Sequence, residues 1–274
     1  MKPQRGTKSS KVKSICAFCA FLCFVCFAAP AQESRNLTPV QVAIQKQQQR
    51  LGSSDTEERR DAVMKLGAMR LAAASRAVLP ALQDAAAIVR ATAAKSILSI
   101  GNEESAPYLL PLLNDKDEFV RREAAYALGL TRSRSATAAL SELLLNDKED
   151  GVRGAAAVAL GHIGDEAAVI ALVGALVPEL SAPSSKKRKR ETNVFVLRAA
   201  AVALGQIKSR AGTAALISAL SNEKLPSDVR REAARSLGLI GDPSAAGALR
   251  AASTAADPFL AEIAHQALRK LSRS

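Results

Sequence analysis

Aromatic residues make up only 3% of this 274-residue chain, and tryptophan is absent. A shortage of aromatic and β-branched residues argues against a β-sandwich or β-barrel, because those residue types fill pleated sheets. Hydrophobic residues nevertheless account for 48% of the sequence, much of it alanine and leucine, which excludes a wholly disordered chain. The composition therefore favours an all-α fold.

Cysteine is confined to the N-terminal segment. All four cysteines lie between residues 16 and 26, in an apolar run over 15–29 that follows five cations and ends in Ala29-Pro30-Ala31. This pattern is typical of a secretory signal peptide, and the run is shorter than the about 20 residues of a membrane-spanning helix. We predict a signal peptide over 1–31, cleaved near Ala31, and a periplasmic or secreted protein; retention as an anchor is the alternative. Without cysteine, the mature chain is neither a thiol enzyme nor a disulfide scaffold.

A ten-residue motif recurs seven times in the rest of the chain, for example VRREAAYALG from Val120. The copies start 31 to 33 residues apart, except for one interval of 44 residues. Alanine stands four places after each start and leucine or isoleucine eight places after it, on one face of a helix. The starting residues are Glu58, Val89, Val120, Val152, Val196, Val229 and Leu260.

A second apolar-periodic segment follows each copy, so each unit is predicted to be a helical hairpin. Stacked hairpins share a continuous core, which predicts an α-solenoid of about six hairpins over 55–274 with capping helices. The N-terminal cap is expected within 32–54, where Thr38-Pro39 opens a helix. Left-handed helix stops are predicted at Gly67, Gly129, Gly161, Gly205 and Gly238. First-helix N-caps are predicted at Asp117, Asp150, Asn193, Asp228 and Asp257.

The consensus D-x-x-V-R-x-x-A-A-x-A-L-G-x-I-G-D resembles HEAT repeats of the phycobilin-lyase type. Val152 to Asp165 carries it almost complete, and the resemblance covers nearly all of 55–271. It implies a HEAT-repeat superhelix. It implies little about function, since the family includes scaffolds, lyase subunits, a hydroxylase and DNA-repair enzymes.

The resemblance also implies a structural arginine ladder. In similar HEAT proteins the arginine one place after the start binds an aspartate of the preceding turn, and Asp84, Asp115 and Asp147 lie six places before their arginines. A stripe for an anionic partner is the alternative reading. The ladder residues are Arg59, Arg90, Arg121, Arg153 and Arg230, and the ladder is expected to be missing at Leu197 and Ala261.

The sequence offers no site for catalysis or metal binding. Similar deoxyhypusine hydroxylases hold iron with His-Glu dyads, but Arg122-Glu123 and Arg231-Glu232 occupy those positions, and arginine does not ligate metals. His162 is expected in an exposed loop and His265 on the cap surface. We predict a non-enzymatic protein with no metal and no cofactor. An enzyme or enzyme accessory similar to the hydroxylase or to bilin lyases is the alternative.

The longest interval contains a basic insertion, which is predicted to be a disordered loop over 178–193. A candidate role for its cations is binding an anionic membrane surface or polymer. Nucleic acid is disfavoured because the run has no aromatic residue to stack on bases, and a solvated loop without a binding role is the third reading. The cations are Lys186, Lys187, Arg188, Lys189 and Arg190.

Tyr108 replaces alanine in one column of the second helices. Because the second helices of HEAT solenoids line the concave face, Tyr108 is a candidate partner contact, with core packing as the alternative. Phe119, Phe195 and Phe259 are expected to close the inter-repeat turns. The function predicted from the sequence is an exported scaffold that binds a protein partner on its concave surface.

Overall fold

The computed structural model describes residues 37–177 and 193–272, which form fourteen α-helices, turns and short 3₁₀ segments but no strand. The first helix of each hairpin contains the recurring motif. These first helices are α2 (Thr56–Ala68), α4 (Ala87–Ser96), α6 (Glu118–Thr131), α8 (Asp150–Ile163), α10 (Val194–Ile207), α12 (Ser227–Ile240) and, without a second helix after it, α14 (Pro258–Leu271). The second helices are α3 (Ala72–Val78), α5 (Asn102–Leu109), α7 (Thr137–Asn146), α9 (Val169–Leu176), α11 (Thr213–Ser221) and α13 (Ala246–Ala252). Helix α1 (Pro39–Arg50) precedes the first hairpin.

The repeated apolar columns form the core. All seven alanines four places after the starts are fully buried, and so is the leucine or isoleucine column from Leu66 to Leu237. Alanine lets neighbouring first helices approach closely, and leucine fills the space beside them. Successive first helices pack directly on one another. Within the described residues, six hairpins follow one another between α1 and α14, which confirms the predicted all-α solenoid.

The glycines that close five copies lie inside the helices, so the predicted left-handed stops at these positions are wrong. A Cβ atom at Gly129 would lie 2.7 Å from the Ala159 Cα atom of the next first helix. Glycine is therefore present for close helix approach, not for its backbone freedom. The same crowding by the next first helix occurs at Gly67, Gly161, Gly205 and Gly238.

The left-handed residues lie three places further along the chain. Arg132, Gly164, Lys208 and Gly241 end four first helices in this conformation. Their backbone N–H groups bond to carbonyl oxygens of the last helical turn. This is the usual geometry of a helix C-terminus, displaced from the position that the glycine pattern predicted.

Three of the five predicted N-caps are present. The side chains of Asp117, Asn193 and Asp257 accept hydrogen bonds from backbone N–H groups of the first turn. Asp150 and Asp228 lie inside the helix instead, because α8 and α12 begin one or two residues earlier than the pattern suggested. Asp55, which the sequence analysis did not single out, caps α2.

The stack continues across the long interval, since α8 packs directly on α10. The ring of Phe195 lies on Gly154, where a Cβ atom would come 2.0 Å from the Phe195 Cε1 atom. Residues 178–192 of the predicted insertion and the predicted signal peptide over 1–31 lie outside the described residues. No described helix is long and apolar enough to span a membrane.

Candidate interaction surface

The second helices present a row of exposed positions on α5, α7, α9, α11 and α13. We call it the second-helix face and define it by Tyr108, Ala138, Ile170, Ala214 and Gly247, all of which are exposed. Ile170 is 85% exposed, and Tyr108 is 43% exposed. Because α9 packs between α7 and α11, the flanking alanines leave the Ile170 side chain projecting from a surface of small residues.

Charge is scarce on this side of the solenoid. Helices α7, α9, α11 and α13 contain two charged residues, Glu142 and Arg250. The first helices α6, α8, α10 and α12 contain twelve. A weakly charged surface of small residues with one projecting aliphatic side chain is suited to contact with another protein.

Tyr108 lies at the N-terminal side of this face. Its exposure rules out the alternative that its ring is packed in the core. Near it, the exposed Arg76 of α3 and Glu104 of α5 form an ion pair, with 2.9 Å between Nη2 and Oε2. Beyond this ion pair, Glu142 of α7 is the one charged residue on helices α7, α9 and α11.

A ladder of arginine contacts runs along the turns that lead from each second helix to the next first helix, and we call these turns the ladder edge. Arg90 donates to Asp115 through Nε at 2.7 Å and Nη2 at 2.8 Å. Its Nη1 donates to the carbonyl oxygens of Asp84 and Ala85 at 2.8 and 3.0 Å. Each guanidinium therefore ties two successive turns together. Arg59 binds Asp84 and Arg121 binds Asp147 in the same way.

The expected direction of the ladder is wrong. The aspartate that each arginine binds belongs to the following turn, 25 or 26 residues later, and the preceding turn supplies only backbone carbonyls. The reason is geometric. Each ladder arginine lies at the start of a first helix, next to the preceding turn, and its side chain extends across the interface to the next hairpin. Asp84 and Asp115 therefore serve the previous hairpin's arginine.

Two predicted ladder members make other contacts. Arg153 pairs with Asp150 of its own helix. Arg230 donates to the Leu220 carbonyl oxygen at 2.9 Å. Its neighbour Arg231 takes over the ladder role and binds Asp257 through two hydrogen bonds of 2.9 Å.

Arginines lower the pKa of their carboxylate partners at the first and last contacts of the ladder. Hydrogen bonds from Arg59 lower the pKa of Asp84 below its usual range, against the opposing effect of burial. Arg231 lowers the pKa of Asp257 in the same way. Because these charges are already paired and partly buried, the ladder is a structural feature, and the alternative of an open stripe for an anionic partner does not fit its geometry.

A shallow cleft of about 300 Å³ lies on the first helices α10, α12 and α14, lined in part by Arg198, Arg231 and Phe259. The Arg231 guanidinium stacks 5.1 Å from the Phe259 ring centre, and Phe259 is 67% exposed. Phe259 is therefore a surface residue, which corrects the expectation that it closes a turn. Phe119 is likewise covered by Arg122 at 4.8 Å, whereas Phe195 does pack between hairpins, on Gly154.

The histidines are separate and exposed. His162 belongs to the last turn of α8, which corrects its expected loop position, and His265 lies on α14. Residues 37–177 and 193–272 contain no group of three histidines, cysteines or acids that could hold a metal ion. The basic run over 186–190 lies outside these ranges.

Comparison with known families agrees with this architecture. A family model for HEAT repeats matches residues 44–129, 109–179 and 187–269. The chain belongs to the HEAT-repeat family. This match confirms the resemblance and fold class predicted from the sequence. No curated protein matches the chain.

Solved structures share the HEAT-repeat fold. The Escherichia coli protein YibA is 22% identical with a TM-score of 0.58, and the match covers 85% of this chain and 82% of YibA. An engineered protein is 22% identical with a TM-score of 0.55, over 84% of this chain and 68% of that one. The complex of CpcE and CpcF of phycocyanin lyase from Nostoc sp. is 28% identical with a TM-score of 0.49, over 89% and 94%. The first two likenesses show the fold alone.

Ile170 and Arg231 are not among the residues predicted from the sequence. Ile170 could have been found as the one large aliphatic residue in a column that otherwise holds alanine, glycine, proline and arginine. Arg231 carried no such signal, because Arg230 occupies the expected ladder position beside it.

Proposed function

We propose that this HEAT-repeat protein is an exported, non-enzymatic scaffold that binds a protein partner on its second-helix face. The observation that carries the proposal is Ile170, which is 85% exposed at the middle of a row of small residues. Contiguous exposed apolar surface often marks an interface, and Ile170 stands between the exposed Ala138 and Ala214 of the two neighbouring helices.

The composition of the face supports a protein partner over a small molecule. Ala138 and Ala214 flank Ile170, are exposed, and provide apolar contact area made of small side chains. Tyr108 adds an exposed aromatic residue with a polar end, a side chain that is common in interface centres. The basic, apolar and small residues over 1–31 support export.

Site-specific crosslinking in the native host tests this function. A photo-reactive amino acid at position 170 is expected to capture one dominant protein, and the same reagent at position 198, exposed among the first helices, is the matched control. Ile170→Asp should abolish capture from position 108 without lowering the unfolding midpoint, since the side chain is exposed. Equal capture from positions 170 and 198, or none from either, contradicts the proposal.

The basic run supports a second candidate function, binding to an anionic surface. Five consecutive cations over 186–190 are worth about 1 kcal/mol each near a charged membrane. Replacing the five cations with serine should abolish salt-sensitive binding to vesicles that contain anionic lipids. Unchanged vesicle binding by the serine variant contradicts this candidate.

A further inference from the structure

Charge alternates along the turns that join each first helix to its own second helix. We call these six turns the alternating edge. The turns of the first, third and fifth hairpins are basic, and their cations are Arg70, Arg132, Arg134, Lys208 and Arg210. The same region of the second, fourth and sixth hairpins is acidic. Asp165, Glu166 and Asp242 lie in the turns of the fourth and sixth hairpins, whereas Glu103 and Glu104 lie in the first turn of α5, just after the second turn. We count these two glutamates with the alternating edge, although Glu104 is already paired with Arg76.

Hydrogen bonds join this edge of the second, third, fourth and fifth hairpins in chain order. Ser133 and Glu103 are joined at 3.1 Å, between the third and second turns. The Thr137 hydroxyl donates to Asp165 at 2.8 Å, and the Ser209 hydroxyl donates to Glu166 at 2.6 Å. Each carboxylate has further acceptor capacity beyond the one hydroxyl bond, because its two oxygens offer about four acceptor sites.

The cations of this edge are exposed and unpaired. In the part of the chain that the structure describes, none of the five forms an ion pair, whereas the ladder residues Arg59, Arg90 and Arg121 do. Neighbouring acids are close enough to feel them, since Arg134 contributes to lowering the pKa of Asp165 after the larger effects of Thr137 and the Ala167 N–H. The positive charges are therefore available to another molecule.

The backbone of the basic turns is strained. Arg70, Arg132 and Lys208 have φ values of 51°, 53° and 60°, in the left-handed region that favours glycine. The corresponding positions of the acidic turns hold glycine, as at Gly164 and Gly241. Strain of this kind persists where the side chain has a use that glycine cannot serve. In each of these three basic turns the residue in place of glycine carries a positive charge.

We propose that the alternating edge is the interface of a two-fold dimer in which a second copy of this chain lies antiparallel. The two-fold axis passes between the third and fourth turns. Arg132 and Arg134 of one copy then face the partner's Asp165 and the partner's Glu166. The two-fold axis creates a second contact of the same kind, with the roles of the two copies exchanged. The order of signs is self-complementary about this two-fold axis, whereas a parallel alignment in register places like charges together.

The interface is salt-sensitive and modest in strength. Exposed ion pairs contribute little individually, but symmetry doubles each of them, and their regular order selects one register. Leu71 and Leu130, which are 42% and 59% exposed beside the first and third turns, supply apolar contact area. The dimer is argued from the charges of these turns and does not depend on the proposed function.

Sedimentation of the purified full chain tests the dimer. At low ionic strength the chain is expected to form a dimer that dissociates as salt shortens the Debye length from about 10 Å to about 3 Å. Arg132→Glu/Arg134→Glu makes the third turn acidic, and Glu166→Lys makes the fourth turn less acidic. Each variant alone should associate at least tenfold more weakly than wild type. Their mixture should recover association as a heterodimer. One of its two contacts then pairs unaltered Arg132 and Arg134 with unaltered Asp165 and Glu166, and in the other the introduced glutamates face the introduced lysine.

A matched control has the same charge change on the ladder edge. Lys116→Glu/Lys224→Glu reverses two exposed cations there and should dimerise like the wild type. Circular dichroism melts confirm that each variant is folded. The proposal is overturned if the wild type is a monomer at low salt or forms a complex only with a different protein. It is also overturned if the control variant weakens association equally, or if the mixture associates no better than its components.

Discussion

The two edges of this solenoid use arginine in opposite ways. On the ladder edge, Arg90 is 7% exposed and each of its three nitrogens donates within the fold. On the alternating edge, Arg132 and Arg134 are exposed, form no ion pair among the described residues, and in one case strain the backbone. Residue type alone therefore does not distinguish a structural arginine from one that is available for binding. What distinguishes them is whether the guanidinium is already paired with a carboxylate.

Acid should break the ladder edge as a whole, which is the largest effect we expect. A carboxylate whose pKa is lowered in the folded state stabilises the fold above its ordinary pKa of about 4, and this contribution is lost as the pH falls through the lowered value. Asp84 and Asp257 are of this kind because of Arg59 and Arg231. The unfolding free energy should be constant near neutrality and fall steeply below about pH 4. Denaturant titrations from pH 7 to pH 3 measure it, and a flat profile would contradict the structural role of the ladder.

Removing one ladder arginine should cost less, but still a large part of the stability. Arg90→Gln leaves Asp115 without its partner at a mostly buried site, which we expect to lower the unfolding free energy by about 3 kcal/mol. Urea unfolding measures the change. Lys116→Gln, an exposed cation in the adjacent turn, is the control and should change it by less than about 0.5 kcal/mol.

The glycine column sharpens the comparison, because it stabilises the same interfaces without charge. Gly129→Ala places a Cβ atom 2.7 Å from the Ala159 Cα atom, so the helices must separate. The expected cost is about 2 kcal/mol. Gly247→Ala is the control, because no atom lies within 4 Å of its added Cβ atom and alanine favours the helix. Thermal unfolding of the two variants should shift in opposite directions, and equal shifts would show that close packing is not the reason for the glycine column.

The smallest expected effect is a gain in stability on the alternating edge. Arg132→Gly and Lys208→Gly remove left-handed strain and should each stabilise the fold by about 1 kcal/mol. The same changes remove cations from the proposed dimer interface, so self-association should weaken while the unfolding midpoint rises. Melting and sedimentation of the same samples check both effects. A loss of stability would show that these side chains have a structural role.

The sequence predicted the fold well because one pattern repeats. The buried alanine column and the leucine column specify which face of each first helix lies in the core, and seven copies of both leave little doubt about stacking. The direction of the arginine ladder could not be predicted from the sequence. Spacing alone does not say whether Arg90 turns to Asp84 or Asp115, since both lie in adjoining turns.

The interaction surfaces were only partly predictable. Tyr108 stood out as an aromatic residue in an alanine column, and the structure places it at the surface. Ile170 differs in size from the other residues of its column, but its neighbours in sequence are apolar too, so the pattern does not say which of them is exposed. The structure shows that the Ile170 side chain is. The positive φ of Arg132 is likewise a property of the folded turn that composition does not reveal.

One pair of variants in the third hairpin tests the contrast between the edges most directly. Arg121 lies near the start of α6 on the ladder edge, and Arg132 and Arg134 follow its end on the alternating edge. Unfolding and sedimentation are measured together for Arg121→Gln and for Arg132→Gln/Arg134→Gln. We predict that the first variant loses stability but, while folded, associates like wild type, and that the second keeps its stability but loses association. Equal destabilisation by both, or association unchanged in the second, would contradict the account.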